Sequence, residues 1–386
     1  MFQGNFEFFA PTRILIGGGQ LSEIGHRSAK LGKKALLVTG KTSMAKAGIT
    51  DRVRKYLEEE GIESILFNQV ESNPGTETVR KGAQLGKKED CDLVIGLGGG
   101  SALDAAKAIA VAISHGDNVR SFFGRDKIPG PTLPIIAIPS TSGTGSEITP
   151  YSVLTDEEAN RKDALSSEFI LPKVSIVDPE IAMSQSPYLT SCTGMDALSH
   201  ALEAYASPIA SPFSDAVAAE TIRLVSSYLR KAVRQGDDIE ARSAMSSAAT
   251  LGGMAVRLAR AGAAHGLGQS VGALFHTDHG TTVGILLPYV MEFNMPAQAE
   301  KYAYVASLMG QKIEGLSTRE AALLSVQAVR ELIRDVDIPD NLSELGADIG
   351  KAQEIAEDAI TQLPMKNNIR QPTLEEAKEL YCRALG

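Results

Sequence analysis

Apolar and polar positions follow two different patterns along the chain, and the change falls near residue 180. In the first half, short continuous apolar runs alternate with segments of helical spacing. The apolar runs lie at 13–16, 35–38, 63–67, 93–95, 135–138 and 174–177. Continuous apolar strands that alternate with helices are typical of a parallel sheet covered on both faces. We therefore predict an α/β domain over residues 1–180.

After residue 180 the strand pattern almost disappears and helical spacing takes over. Segments rich in Ala, Leu and Glu with this spacing lie at 195–206, 213–235, 238–259, 296–310, 316–336 and 373–384. Thr373 and Glu376 have the spacing of a capping box at the start of the last segment. The second half, residues 181–386, is therefore predicted to be an all-α domain.

Composition and charge narrow the classes of function. The 386 residues are 43% hydrophobic and 22% charged, which favours a folded protein over a disordered one. The net charge of −9 argues against a nucleic-acid or anionic-membrane surface, since either would need a basic face. A phosphate-bearing cofactor is still compatible with this charge, because backbone N–H groups can bind phosphate.

The location of the protein is predicted from three features. No apolar run reaches the roughly 18 residues of a membrane helix, and the first residues lack a signal-peptide pattern. Cys91, Cys192 and Cys382 are odd in number and far apart, so we expect free thiols in a reducing compartment. These features together predict a cytoplasmic protein.

Two polar turns follow predicted strands in the first half. The glycine-rich turn 98–101 leads directly into a strong helix, so glycines and free helix N–H groups can approach a phosphate closely. A tight strand-to-helix turn without a ligand is the alternative interpretation. The second turn, 139–147, combines five hydroxyl side chains with two glycines. Since ligands bind at the carboxyl ends of parallel strands, the pair of turns favours a nucleotide site.

Four of the six histidines lie between residues 200 and 279. Asp196 and His200 are four residues apart and share one helix face, which suits a metal ion or a simple surface hydrogen bond. In a single straight helix, His265 and His279 would be about 21 Å apart, so binding one ion requires the chain to bend back. Asp196, His200, His265 and His279 suit Fe²⁺ or Zn²⁺ better than Ca²⁺ or Mg²⁺. His276 is a candidate proton carrier.

The sequence resembles the iron-dependent (group III) alcohol dehydrogenase family nearly from end to end. The matching stretches are 98–107, 139–147, 178–179, 193–203, 265–280 and 286–288. The resemblance implies the fold shared with dehydroquinate synthase, a nucleotide-binding α/β domain followed by a helical metal-binding and catalytic domain. It also implies a homodimer, and that Asp196, His200, His265 and His279 are the metal ligands.

The resemblance and the two turns together define the candidate cofactor site. The candidate cofactor-binding residues are Gly40, Lys41, Asn73, Gly98, Gly99, Gly100, Ser101, Asp104, Thr141, Ser142, Thr144, Ser146 and Lys162. Gly40 stands where NAD-preferring relatives carry an aspartate that bonds the ribose 2′-OH and repels a 2′-phosphate. Because glycine removes both effects and Lys41 follows it, we predict that NADPH is accepted and can be the preferred cofactor.

These features predict a metal-dependent NAD(P)-linked alcohol dehydrogenase or aldehyde reductase acting on a small alcohol or aldehyde. Many family members carry a second histidine where this chain has Gln269, which cannot exchange a proton near neutral pH. A glycerol-dehydrogenase-type polyol dehydrogenase is one alternative. A dehydroquinate-synthase-like lyase would need several basic residues near the metal, and only Arg257 and Arg260 are close in sequence. A binding protein with an inert metal site is a third alternative.

Overall fold

The computed structural model describes residues 5–159 and 161–386. Its contacts divide the chain into two compact units. The sheet unit comprises Phe9–Thr141 and Gly145–Ser184. The helical unit comprises Ser142–Thr144 and Gln185–Gly386, together with the described residues up to Phe8.

Within its described residues, the sheet unit is built on nine strands. They are β1 Arg13–Ile16, β2 Lys34–Gly40, β3 Glu63–Val70, β4 Leu93–Gly98, β5 Gly124–Arg125, β6 Ile135–Pro139, β7 Tyr151–Asp156, β8 Arg161–Ser166 and β9 Val174–Val177. Six of them form one parallel sheet in the order β1-β9-β6-β4-β2-β3, and these are the six apolar runs of the sequence. The predicted parallel sheet is confirmed. Both β4 and β6 are buried at every position, which explains their continuous apolar character.

Six α-helices accompany this sheet in the part of the chain that the structure describes. They are α1 Ile24–Ser28, α2 Ser43–Lys46, α3 Ile49–Glu59, α4 Thr76–Lys88, α5 Gly100–His115 and α6 Pro179–Ala182. Two separate apolar clusters contain side chains of the parallel sheet, one with α5 and the other with α3. Alternate residues of β2 enter different clusters, as expected for a strand whose side chains alternate between two covered faces.

A small second sheet was not predicted from the sequence. It has the order β5-β8-β7, with β7 antiparallel to β8 and the two-residue β5 parallel to β8. The apolar signal is weak here because β8 begins with Arg161, Lys162 and Asp163. This hairpin places Lys162 opposite Thr155.

The helical unit contains nine helices and no strand within its described residues. They are α7 Pro187–Ala206, α8 Pro212–Arg234, α9 Ile239–Ala259, α10 Ala263–Phe275, α11 His279–Leu308, α12 Thr318–Asp335, α13 Ala352–Ala359, α14 Leu363–Lys366 and α15 Leu374–Ala384. The predicted helical second half is thus confirmed. The capping box of Thr373 and Glu376 is present at the start of α15.

Local sequence explains where these helices begin and bend. Ser186 and Ser211 accept backbone N–H bonds at the starts of α7 and α8, each followed by proline in the first turn. Helix α11 contains Pro288 and Pro296, and its backbone leaves helical geometry at Gln298. No helix in the described part of the chain is long and apolar enough to span a membrane. All three cysteines are free thiols.

Candidate metal centre and nucleotide-binding turns

Three imidazoles of the helical unit surround one carboxylate oxygen. Oδ1 of Asp196 lies 3.8 Å from Nε2 of His200, 3.6 Å from Nε2 of His265 and 3.7 Å from Nε2 of His279. Ligand atoms that bind one ion tetrahedrally at about 2 Å lie roughly 3.3 Å from each other. The observed separations are therefore close to those of a metal site.

The four side chains are not equivalent in this arrangement. Among the described residues, Asp196, His265 and His279 form a group whose ligand atoms all lie within 4.8 Å of one another. His200 is outside that group, although its ring stacks on that of His265 with centroids 4.7 Å apart. Closure around an ion thus requires a small movement of His200.

The backbone explains how residues distant in sequence meet here. Asp196 and His200 are four residues apart on α7, and His265 lies in the first turn of α10. Helix α10 ends before His276, which adopts the left-handed conformation with a φ of 55°. The chain then reverses into α11, so the ring centroids of His265 and His279 are only 5.3 Å apart. The bend that the ligand hypothesis required is present.

Two of the atoms that face the centre have no hydrogen-bond partner among the described residues. Oδ1 of Asp196 and Nε2 of His265 are buried and make no hydrogen bond to the described protein atoms. Burial alone would raise the pKa of Asp196, but the neighbouring imidazoles outweigh it and lower the pKa below its ordinary range. Buried polar atoms without a partner are costly. A cation would satisfy both atoms, so the donor set fits a divalent metal.

Glu203 is a functional candidate that sequence reasoning included in a motif without giving it a role. Its buried carboxylate accepts hydrogen bonds from Nδ1 of His265 and from the backbone N–H of Ala264, the latter at 2.6 Å. Burial raises the pKa of Glu203, and these contacts outweigh it to lower the pKa overall. The available signal was its position three residues after His200 on the same helix.

The exposure of the histidines shows which side of the centre is open. The side chains of Asp196, His200 and His265 are at most 10% exposed, whereas that of His279 is 40% exposed. His276, the candidate proton carrier, is an exposed residue between α10 and α11. The adjoining Asp278 accepts a 2.5 Å hydrogen bond from the hydroxyl of Tyr188, which fixes this turn.

The glycine turn of the sheet unit has the geometry that the sequence predicted. Gly98 ends β4 with a φ of 147°, and Gly99 precedes the first residue of α5. A Cβ on Gly98 would lie 2.8 Å from that of Ala102, so no larger residue fits without displacement. The backbone of Gly98–Ser101 lies at the amino end of a 16-residue helix, a favourable place for an anion.

Three of the candidate cofactor residues meet beside this turn. Ser101 Oγ accepts the backbone N–H of Asn73 at 3.3 Å, and Nζ of Lys162 donates to Oδ1 of Asn73 at 2.8 Å. Asn73 itself has a φ of 53°, a conformation that asparagine tolerates better than most residues. Burial lowers the pKa of Lys162. This contact joins strand β8 to the start of α5.

The candidates Asp104 and Ser146 are hydrogen-bonded to each other. Oδ1 of Asp104 accepts from Ser146 Oγ at 2.6 Å, and its Oδ2 accepts the N–H of Val153. Fully buried Lys107 donates to the same Ser146 hydroxyl at 2.7 Å and to the carbonyls of Thr149 and Tyr151. These polar atoms hold the turn after β6 against α5. Sequence reasoning had not assigned Lys107 this role.

The remaining candidates occupy separate positions. Thr141 lies against Gly99, with its Cγ2 3.3 Å from where a Cβ of Gly99 would be. Ser142 belongs to the helical unit, where its N–H donates to Gln185 and its hydroxyl pairs with Ser246. Thr144, two residues later, is in the same unit. Gly40 ends β2 in the sheet unit and is followed by exposed Lys41.

Comparison with known proteins identifies the family. Residues 11–179 match the profile of iron-containing alcohol dehydrogenase, and residues 190–385 match that of the C-terminal part of the Fe-containing alcohol dehydrogenase family. The chain belongs to the iron-containing alcohol dehydrogenase family. This membership confirms the predicted class of enzyme, a metal-dependent alcohol dehydrogenase with NAD(P)-linked chemistry.

Relatives within the iron-containing alcohol dehydrogenase family match along almost the whole chain. The 1,3-propanediol dehydrogenase of Citrobacter freundii is 38% identical, covering 98% of both chains. The NADPH-dependent butanol dehydrogenase of Clostridium saccharobutylicum is 39% identical, covering 97% of this chain and 96% of that one. The crystal structure of a 1,3-propanediol oxidoreductase superposes with a TM-score of 0.96 at 38% identity, covering 99% and 100% of the two chains.

Proposed function

We propose that this alcohol dehydrogenase binds one Fe²⁺ or Zn²⁺ ion through Asp196, His200, His265 and His279. The observation that carries the proposal is the convergence of three imidazole Nε2 atoms on the buried Oδ1 of Asp196. One carboxylate and three neutral imidazoles would leave a divalent site with a net charge of about +1. When bound, the metal would act as a Lewis acid on the substrate oxygen, and a bound nicotinamide would supply the hydride chemistry.

The chain's own residues orient and protect this centre. By accepting the Nδ1–H of His265, Glu203 would leave Nε2 of that ring as the atom available to a metal ion. Asp196 and His200 are buried on α7, whereas the side chain of His279 is 40% exposed. We assign proton exchange with solvent to the imidazole of His276, because Gln269 cannot exchange a proton and exposed His276 lies three residues before His279 in the sequence.

The cofactor is proposed to bind through the two polar turns and the residues beside them. The amino end of α5 would hold a cofactor phosphate, with Asn73, Ser101 and Lys162 at its side. At the end of β2, Gly40 carries no charge to repel a 2′-phosphate, and Lys41 is exposed. These features support acceptance of NADPH, as does the 39% identity to an NADPH-dependent butanol dehydrogenase.

The proposed substrates are short primary alcohols or diols and the corresponding aldehydes. The support comes from relatives named for 1,3-propanediol and butanol. The test is metal analysis of anaerobically purified protein, followed by an aldehyde panel with NADH and NADPH. We expect about one Fe or Zn per chain, and activity that disappears on chelation and returns with metal. Full turnover by metal-free protein would refute the proposal.

We further propose, from the family resemblance, that the enzyme works as a cytoplasmic homodimer. Light scattering during size-exclusion chromatography is expected to give about twice the 40.9 kDa chain mass. A single-chain mass across the working concentration range would exclude the dimer, and recovery outside the cytoplasm in fractionated cells would exclude the location.

A further inference from the structure

A cavity of about 180 Å³ in the sheet unit is lined mainly by cationic residues. Its lining residues are Arg13, Arg27, Lys30, Leu31, Lys173 and Val174. Four of these six side chains are positive and none is acidic, although the whole chain has a net charge of −9. Like charges gathered without acids between them indicate a place that attracts an anion.

The four cations come from three separate parts of the fold. Arg13 begins β1 and Lys173 immediately precedes β9, and the backbone N–H of Arg13 donates to the carbonyl of Lys173 at 3.0 Å. Arg27 and Lys30 lie at the end of α1 and just after it. A helix carboxyl end attracts cations, which accounts for Arg27 and Lys30. It does not account for the two cations at the strand starts.

Most of these cations have no counter-charge. Arg27 pairs with Glu23 at 2.8 Å, yet its Nε is buried without a hydrogen-bond partner. Within residues 5–159 and 161–386, the side chains of Arg13, Lys30 and Lys173 make no ion pair or hydrogen bond. An incoming oxyanion would therefore meet three unpaired cations and one unsatisfied guanidinium N–H.

We propose that this cavity binds a small phosphate-type oxyanion, such as inorganic phosphate, pyrophosphate or the phosphate group of a small metabolite. Guanidinium groups bind such oxygens in pairs, and ammonium groups add point charge. Its volume is well below the roughly 300 Å³ at which cavities begin to hold drug-sized ligands. The site is separate from the glycine turn, because Arg13 and Lys173 lie at the amino ends of the parallel strands and Gly98 ends β4.

The test is titration calorimetry of pyrophosphate into the metal-loaded enzyme at low ionic strength, with and without excess cofactor. We expect about one pyrophosphate per chain in both conditions, since the proposed site does not overlap the cofactor turn. The double variant Arg27→Gln/Lys173→Gln is expected to bind pyrophosphate at least about tenfold more weakly. Because Arg27 is partly buried, the exposed pair Lys30→Gln and Lys173→Gln provides a second variant with the same expectation.

A matched control removes the same charge elsewhere in the sheet unit. Lys88→Gln with Lys127→Gln alters two exposed residues outside the cavity, and pyrophosphate affinity should be retained. Equal weakening in the cavity and control variants would show general charge attraction and overturn the proposal. A second result would also overturn the proposal: both cavity variants still bind pyrophosphate, and excess cofactor abolishes that binding. The anion would then occupy the glycine turn.

Discussion

The carboxylate of Glu203 accepts the Nδ1–H of His265 and so determines which nitrogen of that ring is free to bind a metal. The same carboxylate accepts the backbone N–H of Ala264, which ties it to the first turn of α10. Nε2 of His265 is then left 3.6 Å from Oδ1 of Asp196. Glu203 thus prepares a ligand without itself facing the proposed ion.

Replacing Glu203 tests this positioning role directly. Glu203→Gln keeps the size of the side chain but removes its charge, so His265 should be held less firmly. We expect metal affinity to fall roughly 10–100-fold, as measured by competition with a chelator. Glu220→Gln, on the exposed side of α8, is the matched control and should keep the original affinity. Equal affinities in both variants would contradict the assignment.

Metal uptake should release a proton from His265. Burial lowers the pKa of this residue, but the carboxylates of Glu203 and Asp196 outweigh it and raise the pKa to about 10. The metal-free ring is therefore protonated at neutral pH, and a metal ion must displace that proton. Affinity should accordingly rise with pH until about pH 10. Calorimetry in two buffers of different ionisation enthalpy measures the release, and a heat independent of buffer would contradict it.

Cofactor preference should change when a charge is introduced at Gly40. A Cβ at this position would meet only the carbonyl oxygen of Val70, at 3.7 Å, so a side chain fits. Gly40→Asp should bond a ribose 2′-OH and repel a 2′-phosphate. We expect the ratio of kcat/KM for NADH over NADPH to rise at least about tenfold. Gly40→Ala adds bulk without charge and should leave the ratio nearly unchanged; equal shifts in both variants would refute the electrostatic account.

The buried contact between Asp104 and Lys107 should contribute strongly to stability. Burial raises the pKa of Asp104 and lowers that of Lys107 to about 8, so burial disfavours the charged form of each group. Each charge is stabilised by the other and by a hydrogen bond with Ser146. Lys107→Met should lower the free energy of unfolding by about 3 kcal/mol in urea denaturation, because it leaves a buried carboxylate without its cation.

The double variant Asp104→Asn with Lys107→Met separates this contact from simple packing. Its loss of stability should be smaller than the sum of the two single losses, because both charges are removed together. Strict additivity would show that the two side chains act independently.

His276 can be tested without disturbing the turn that it occupies. Asparagine tolerates the left-handed backbone of this residue, so His276→Asn removes the imidazole at little conformational cost. If His276 exchanges the proton, kcat should fall at every pH tested. His276→Ala should show the same profile with lower stability. An unchanged kcat across pH would remove His276 from the proton path.

Most of the fold was predictable because its pattern is local. Strands such as 93–95 are continuously apolar since β4 is buried throughout. The hairpin of β7 and β8 was missed because its polar residues serve side-chain contacts such as that between Lys162 and Asn73. The start of α11 was also hard to predict, because proline usually interrupts a helix and α11 nevertheless continues past buried Pro288.

The site was predictable in its residue types but not in all its roles. The spacing of Asp196 and His200 on α7 is visible in the sequence, and glycines around His265 indicated a bend. The link between Glu203 and His265 joins residues 62 positions apart, and no local pattern reports it. The contacts of Asp104 with Ser146 and Val153 likewise join residues more than 40 positions apart.

Helix α7 carries Asp196, His200 and Glu203 while 17 of its 20 residues are buried. The helix that carries the proposed ligands is thus also part of the buried core of the helical unit. Any ion held there binds the native chain and not the unfolded one, so it adds its own binding free energy to the stability of that unit. A shortage of metal would then shorten the lifetime of the protein as well as remove its activity. The unfolding temperature of the protein would rise with the supply of metal.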